Sequence, residues 1–520
     1  MPDNSSIRIS GWVMGSPFQS FRELIPFTHT FAGQPLSDRI RSRISEIARQ
    51  DAEKIAPLLT NEIIPAVARQ GNLHMRFKLL EDVRREAERI LPALEQALKN
   101  AVLPLPKSTL GSTLHADNLI KALAAAYHEI VSTIVKRNES AALAHILHRS
   151  TLQAMLLLVR RQKFAYLACT KPSASSWLML HQLYQNTSSL HGTPAHDDLA
   201  AIKQQYLGAL LLAYLEPNKL PRSELDTLMN CVSQLAPHAQ IFATDSQVIS
   251  NKGGESTFFV QPEKGSPGHS QMRIPHGSQH LPGLNIDCSG VVKAINRNIA
   301  SKPGKPATPL LDAPPALLQT LLLTLTGKGT RQFNRSRFRP RTDLVVGLDA
   351  VISFIEETAC TRRSVDAIIR HDRPVISSEW SMIDESANGF LIRFLKGNKW
   401  QASAGDVVAI QPRESSKVHV CLVRRVSSTR GHLELGLQLL SPKVSIIELA
   451  TENLGNRRAI FLHNLPAHGK CPGIIAKPGQ LKTRQQIVFK TADHFLQRQI
   501  GKYIEANEGL EFVALTPLPD

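Results

Sequence analysis

The chain has 520 residues, more than one hydrophobic core usually serves, so roughly two to four domains are expected. Its 61 lysines and arginines outnumber its 44 aspartates and glutamates, which gives a formal net charge of +17 at pH 7. This excess favours an anionic partner such as a nucleotide, a nucleic acid or an acidic surface. A hydrophobic fraction of 42% and a charged fraction of 20% exclude an intrinsically disordered chain.

The cysteines and the apolar runs bear on the compartment of the protein. The 6 cysteines lie far apart and form no C-x-x-C pair, a usage typical of a reducing cytoplasm. No apolar run approaches the roughly 18 residues that a membrane span needs. The first residues lack the basic and apolar segments of a signal peptide. We therefore expect a cytoplasmic protein without a membrane span.

The N-terminal half shows helical periodicity. Residues 1–36 are predicted to be an irregular lead-in, and residues 37–245 an all-α domain, either a bundle or an array of helix pairs. Ile40, Ile44 and Ile47 share one face of the first helix. Further helices are predicted at 74–98, 114–134, 139–166, 175–185, 197–215 and from Pro221 onwards. Pro92 is expected to break or kink the second helix.

The composition changes sharply in the middle of the chain. Residues 246–326 are predicted to be a linker with a small connector because Gly, Ser, Pro and His dominate. Short strands are expected at 257–261 and 284–288. The five prolines between residues 301 and 315 predict a semi-rigid spacer. An apolar helix is expected over 317–325.

The C-terminal part has the pattern of strands. An apolar run at 344–355 and strict alternation over 432–439 predict short strands of a small antiparallel β-barrel spanning residues 327–441. Residues 356–373 are predicted to be a polar insertion. Residues 442–520 contain strand-like runs and an amphipathic piece near 492–504, which predict an appended α+β or β segment. The predicted fold class is multidomain α+β.

An arginine-rich segment lies at the start of the predicted barrel domain, before its first predicted strand, and contains no acidic residue. A guanidinium group can donate two hydrogen bonds to the O6 and N7 edge of guanine, and it can pair with a phosphate. Alone, the segment is more simply explained as a solvated basic linker. It fits the pattern R-x-x-x-R in three registers, which involve Arg331, Arg335, Arg337, Arg339 and Arg341.

A second motif, D-x-S-x-x-G, consists of Asp384, Ser386 and Gly389 and leads into an alternating strand over 390–395. A carboxylate accepts hydrogen bonds from N1 and N2 of guanine, and a hydroxyl can bond a phosphate oxygen. Glycine permits a close approach of the ligand or a positive φ. Alone, this motif is an ordinary turn, but its occurrence after the arginine segment and within a barrel pattern favours a ligand site.

The two motifs in this order resemble those of the PilZ domain, the bacterial receptor module for the second messenger cyclic di-GMP. The resemblance covers roughly residues 330–441. It implies that the R-x-x-x-R arginines bind guanine and phosphate and that the second motif contacts the ligand from the barrel. Carried over to this chain, the ligand-binding residues are Arg335, Arg339, Asp384, Ser386 and Gly389, with Arg331, Arg337 and Arg341 as alternative registers.

The resemblance also implies a role in signal transduction, in which ligand binding is relayed to a protein partner that we expect at the helical half. One departure concerns spacing. The gap between Arg339 and Asp384 is longer than the family pattern and implies an insertion around residues 356–373.

Two other functions stay open: a PilZ-like scaffold that has lost the ligand and acts through protein contacts, or a basic nucleic-acid-binding protein. An aromatic content of 5% and the lack of a recognised motif argue against nucleic acid. The chain has no H-E-x-x-H, G-x-S-x-G or Walker sequence, so no enzymatic activity is expected. His145 and His148 lie about one helical turn apart, but a third ligand is missing. Neither a metal site nor a cofactor is therefore predicted.

Overall fold

The computed structural model describes most of the residues of the chain. They are 35–187, 196–243, 256–271, 282–300, 311–327, 340–361, 377–429, 431–449, 457–490 and 495–518. The lead-in is almost wholly outside the described residues, as are Arg331, Arg335, Arg337 and Arg339. The domain boundaries given above stay predictions.

The first half of the chain is helical, as predicted. Its hydrophobic helix faces meet in a single core, and α1 contributes Ile40, Ile44 and Ile47 to it. The helices are α1 (Leu36–Ile47), α2 (Ala52–Leu58), α3 (Ile64–Ala68), α4 (Leu73–Lys99), α5 (Lys107–Lys136), α6 (Ala144–Leu167), α7 (Ala174–Gln185), α8 (His196–Tyr214) and α9 (Leu225–Leu235).

Two features of these helices differ from the sequence expectation. The predicted break at Pro92 is wrong, because α4 runs through it for 27 residues. Leu91 and Leu94 beside the proline are buried, and packing of this face holds the helix despite the lost hydrogen bond. Residues 52–68 were not predicted to be helical. They form α2, a π-helical stretch at Leu59–Ile63 and α3.

A small antiparallel sheet and two helices come next in the chain; the first strand lies at the end of the region predicted to be all-α, 37–245, and the other elements lie in the predicted connector, 246–326. The sheet has the strand order β1-β4-β2-β3, and Ile286, Ile295 and Leu321 from this region lie in the same core as the helices before it. Its elements are β1 (Gln240–Ala243), β2 (Thr257–Val260), β3 (His269–Ser270), β4 (Leu284–Asp287), α10 (Ser289–Ala300) and α11 (Pro315–Leu325).

The next unit is a closed antiparallel barrel with the strand order β10-β7-β6-β5-β8-β9. Its interior is filled by side chains such as Trp380, Ile392 and Leu435. It comprises β5 (Arg341–Val346), α12 (Leu348–Thr361), β6 (Ser378–Ser386), β7 (Gly389–Gly397), β8 (Val407–Pro412), β9 (His419–Thr429) and β10 (His432–Leu439).

The strand predicted over 344–355 is wrong in its second half. β5 ends at Val346, and α12 follows after Gly347. Val351, Ile352 and Phe354 lie on α12 and are buried against the outside of the barrel. Their apolar and partly β-branched sequence is also typical of a buried strand. The segment is a helix because its apolar face packs against the barrel, which a local pattern does not reveal.

The last unit is a six-stranded antiparallel sheet with the order β11-β12-β13-β16-β15-β14. Among the described residues beyond 442 the structure has no α-helix, so the α part of the predicted α+β segment is wrong there. From Phe495 onwards, the amphipathic piece predicted near 492–504 forms β15 instead. The strands are β11 (Val444–Leu449), β12 (Arg457–Leu462), β13 (Gly473–Ala476), β14 (Gln486–Lys490), β15 (Phe495–Ala506) and β16 (Glu511–Thr516).

The barrel and this sheet share one strand topology. If the strands of each unit are numbered from its first strand, both have the order 1-2-3-6-5-4. The barrel closes because its first and fourth strands, β5 and β8, pair with each other. The corresponding strands of the sheet, β11 and β14, lie at its two ends. The C-terminal half therefore contains the same strand order twice, once closed by pairing of the first and fourth strands and once, among the described residues, without that pairing.

The helical part contributes side chains to the barrel core. Leu103 and Cys169 belong to the hydrophobic cluster inside the barrel. The Leu103 amide donates to the Trp400 carbonyl at 2.8 Å, and the Ser428 amide donates to the Cys169 carbonyl at 2.7 Å. The helical part therefore packs directly onto the barrel through these segments.

Candidate functional site

The D-x-S-x-x-G motif forms the hairpin between β6 and β7. Ser386 pairs with Gly389 across a two-residue turn. The Ser386 hydroxyl donates to the Gly389 carbonyl at 3.2 Å, which closes the turn. The neighbouring strand β10 is joined to it because the Leu439 amide donates to the Asn388 carbonyl at 2.9 Å. The motif is therefore rigidly held at one end of the barrel.

Gly389 is required by the fold itself. A Cβ atom at this position would lie 1.9 Å from the carbonyl oxygen of Leu437, a backbone atom of β10. No side chain fits at that distance, so the glycine of the motif has a structural reason that is independent of any ligand.

A β-bulge sets the direction of Asp384. Met382 lies opposite Ile392 with its side chain in the barrel interior, and strict alternation would turn Asp384 inward as well. The pairing shifts between these residues, so that Asp384 lies opposite Leu391 instead. Leu391 is on the outer face, since its neighbours Phe390 and Ile392 face inward. The bulge thus places the carboxylate on the outer surface, which sequence alternation alone does not predict.

The arginine-rich segment reaches the barrel beside this motif. Arg339 precedes Pro340 directly in the sequence, and the Pro340 carbonyl accepts a hydrogen bond from the Met382 amide at 3.0 Å. Arg341 then begins β5 opposite Ser381. The end of the arginine-rich segment therefore lies beside Met382, two residues before Asp384 on β6. The structure does not describe the side chains of Arg331, Arg335, Arg337 and Arg339, and their predicted roles stay predictions.

Arg341, the last arginine of the segment, pairs with an acid of the barrel. Its guanidinium lies 2.7 Å from the Glu379 carboxylate, which also pairs with Arg413 at 3.0 Å and Lys396 at 3.5 Å. Burial alone would raise the pKa of Glu379, but these three cations outweigh it and lower the pKa. Arg413 also pairs with Asp343 at 3.2 Å. Of the three registers, the one that uses Arg341 therefore includes an arginine already held by a carboxylate.

A second ion pair lies on the outer face next to Asp384. Arg393 of β7 donates to Glu434 of β10 at 2.7 Å and 3.1 Å. The two residues face each other across neighbouring strands. Sequence reasoning missed this pair and the Glu379 cluster because both depend on strand register, which the order of residues does not give.

The structure tests the metal and membrane expectations only within the residues that it describes. In that part of the chain, no group of three or more His, Cys, Asp or Glu side chains is arranged to hold a metal ion. His145 and His148 both lie on α6. None of the helices described has the length and apolar character needed to cross a bilayer.

Part of the chain is similar to a known family. Residues 38–245 match the family model described as the N-terminal domain of the cyclic-di-GMP receptor FimW. The match covers the helical part of the chain and less than half of its 520 residues. A search of curated proteins and a search of solved structures each found no match. The likeness of the barrel to the PilZ domain therefore rests on its motifs and their placement.

Proposed function

We propose that this protein is a receptor for cyclic di-GMP that binds the nucleotide on the outer face of its closed barrel and carries out no catalysis. The observation that carries the proposal is the hydrogen bond between Met382 and Pro340, which puts the end of the arginine-rich segment beside the strand of Asp384. The family match of the helical part supports the same ligand.

The chemistry of the two motifs suits the ligand. Cyclic di-GMP has two guanines and two phosphates, and it carries two negative charges. We assign Arg335 and Arg339 to the O6 and N7 edge of guanine and to phosphate, since the guanidinium group binds both in a bidentate manner. Asp384 would accept from the guanine N1 and N2 hydrogens. Ser386, whose hydroxyl lies on the same hairpin, would bond a phosphate oxygen or a base edge.

The barrel in this proposal is PilZ-like, with ligand contacts before its first strand and at the hairpin of its second and third strands. We further propose that it acts in the cytoplasm, in line with the cysteine usage, and that the helical half contacts a protein partner. Leu103 and Cys169 tie the helical half to the barrel core. A change at the barrel would therefore reach the helices through packed side chains.

The ligand would also neutralise the repulsion among the arginines. Five guanidinium groups within eleven residues repel one another, and a dianion placed between them removes that cost. We expect added cyclic di-GMP to protect residues 327–345 from limited proteolysis. Unchanged cleavage in this segment at saturating ligand would contradict ordering by the nucleotide.

Calorimetric titration of the full chain with cyclic di-GMP tests the proposal. Saturable binding with a Kd in the micromolar range or tighter is expected, with no heat from GTP. The Arg335→Ala/Arg339→Ala variant should lose the binding. Arg137→Ala, which removes an exposed arginine at the end of α5, should keep it. Absence of binding to the unmodified chain would leave a PilZ-like scaffold that acts through protein contacts.

A further inference from the structure

Four residues form a straight row across the outer face of the barrel. Asp384 of β6 lies opposite Leu391 of β7. Leu391 lies opposite Gly436 of β10, and Gly436 lies opposite Arg425 of β9. Residues paired directly across neighbouring strands face the same side of a sheet. We call these four residues the outer row.

The outer row follows the convex wall of the closed barrel and has charged ends and an uncharged middle. Asp384 and Arg425 are three strand spacings apart, which is about 14 Å along the surface. Between them, Leu391 is half-buried and Gly436 has no side chain. A Cβ atom on Gly436 would lie 3.4 Å from the Cβ of Arg425, so its absence leaves a shallow floor beside this arginine. An uncharged surface that has no side chain at Gly436 leaves room for the face of a purine.

Arg425 differs from its neighbours in its pairing. It is exposed, and within the described part of the chain its side chain has no hydrogen-bond or ion-pair partner. Four other arginines of the barrel each pair with a carboxylate: Arg341 and Arg413 with Glu379, Arg393 with Glu434, and Arg424 with Glu505. The guanidinium of Arg425 is therefore available for an acceptor that does not belong to the barrel.

We propose that Arg425 is a further binding residue of the cyclic-di-GMP site and donates to the O6 and N7 edge of a guanine whose face lies over Leu391 and Gly436. This inference rests on the proposed function. The same guanine would present its N1 and N2 hydrogens to Asp384 at the other end of the row. Adenine carries an amino donor where guanine has O6, so a guanidinium at this place favours guanine. Neither sequence motif contains Arg425.

Calorimetry on the full chain tests the role of Arg425. Arg425→Ala should weaken cyclic-di-GMP binding about 10-fold or more, the worth of one charge-assisted pair. Arg425→Lys should restore little of the affinity, since an ammonium lacks the planar fork. Lys417→Ala removes an exposed charge from the same barrel and should bind as the unmodified chain does. Unchanged affinity of Arg425→Ala would overturn the inference.

Gly436→Val provides a second test that leaves every charge in place. The added side chain would cover the floor of the outer row and should weaken binding of cyclic di-GMP, while the melting temperature shows that the fold is kept. Equal affinity of a folded Gly436→Val would overturn the placement of the purine. Failure of the unmodified chain to bind cyclic di-GMP would overturn the proposed function itself, and the two failures are therefore distinguishable.

Discussion

The Met382 amide donates to the Pro340 carbonyl at 3.0 Å, which joins the end of the arginine-rich segment to the strand that carries Asp384. The two residues are far apart in the sequence, and α12 lies between them, while most of the predicted insertion at 356–373 is outside the described residues. The hydrogen bond shows that the long gap in the sequence does not separate the end of the arginine-rich segment from β6 in space. The unusual spacing between the motifs is therefore compatible with one site.

Gly389→Ala should destabilise the barrel, because the new Cβ would meet the Leu437 carbonyl oxygen at 1.9 Å and the backbone would have to move. We expect a loss of about 2–4 kcal/mol in the free energy of unfolding, measured by urea denaturation. Gly71→Ala is the control, since nothing lies within 4 Å of a Cβ at that position. Equal stability of the two variants would show that the hairpin tolerates a side chain.

Leu103→Ala should weaken the attachment of the helical part to the barrel. Leu103 is 1% exposed and lies in the barrel core, so its truncation leaves a cavity that costs about 2–4 kcal/mol. Leu110→Ala changes a leucine that is 45% exposed and should alter stability little. If Leu103→Ala unfolds at the same urea concentration as Leu110→Ala, the insertion into the barrel does not stabilise the protein.

Arg222→Met should be strongly destabilising for a different reason. Arg222 is 7% exposed and donates to the carbonyls of Leu98 at 3.2 Å and Leu167 at 3.3 Å, and also to that of Ala101. Burial lowers the pKa of Arg222. Methionine removes the side-chain donor that these three carbonyls share, at a cost of about 3 kcal/mol or more.

The midpoint of thermal unfolding measures the effect of Arg222→Met, with the exposed Arg137→Met as control. A midpoint equal to that of Arg137→Met would mean that water replaces the guanidinium without loss.

Asp406 should make the stability depend on pH. Its carboxylate accepts from the Ser403 amide at 2.8 Å and the Trp400 indole at 3.3 Å, but burial dominates and raises the pKa to about 6. The pKa of an aspartate in an unfolded chain is ~3.9. Between these values the folded state holds a proton that the unfolded state has released. The stability that this bound proton contributes to the fold is therefore complete below the pKa of the unfolded chain. It is lost as the pH rises through about 6, the pKa of Asp406 in the folded state.

Asp406→Asn removes this titration and keeps an oxygen that can accept both hydrogen bonds. It should stabilise the protein at pH 7 by about 1–3 kcal/mol and leave it nearly unchanged near pH 4. Thermal melts at both pH values measure the difference, with Asp51→Asn, an exposed position, as control. The same pH dependence in both variants would contradict the role of Asp406.

Local patterns predicted much of the fold. The buried face of α1 with Ile40 and Ile44 follows from helical spacing, and the alternating leucines of β10 follow from a period of two. α12 was mistaken for a strand because a short run of β-branched residues has no decisive period. The helix over 74–98 was predicted, but the break expected at Pro92 was wrong because packing outweighs the local preference of a proline.

The candidate site depended on information that local patterns lack. The residue types of the site could be identified in the sequence. Strand register determines the rest: the bulge at Asp384, the pairing of Arg341 with Glu379 and the alignment of Asp384 with Arg425. Register joins residues that are distant in sequence, and a shift of one residue would reverse the face of each side chain. Reasoning from the sequence therefore identified the motifs without their geometry.

The central claim is that cyclic di-GMP binds where the arginine-rich segment meets β6, and ultraviolet cross-linking of labelled nucleotide to the full chain tests it most directly. The cross-linked peptides should come from residues 331–341 and from 384–393, and unlabelled cyclic di-GMP, but not GTP, should compete. The family match lies in residues 38–245, which makes the helical part the natural alternative. Cross-links confined to that part would contradict a site on the barrel.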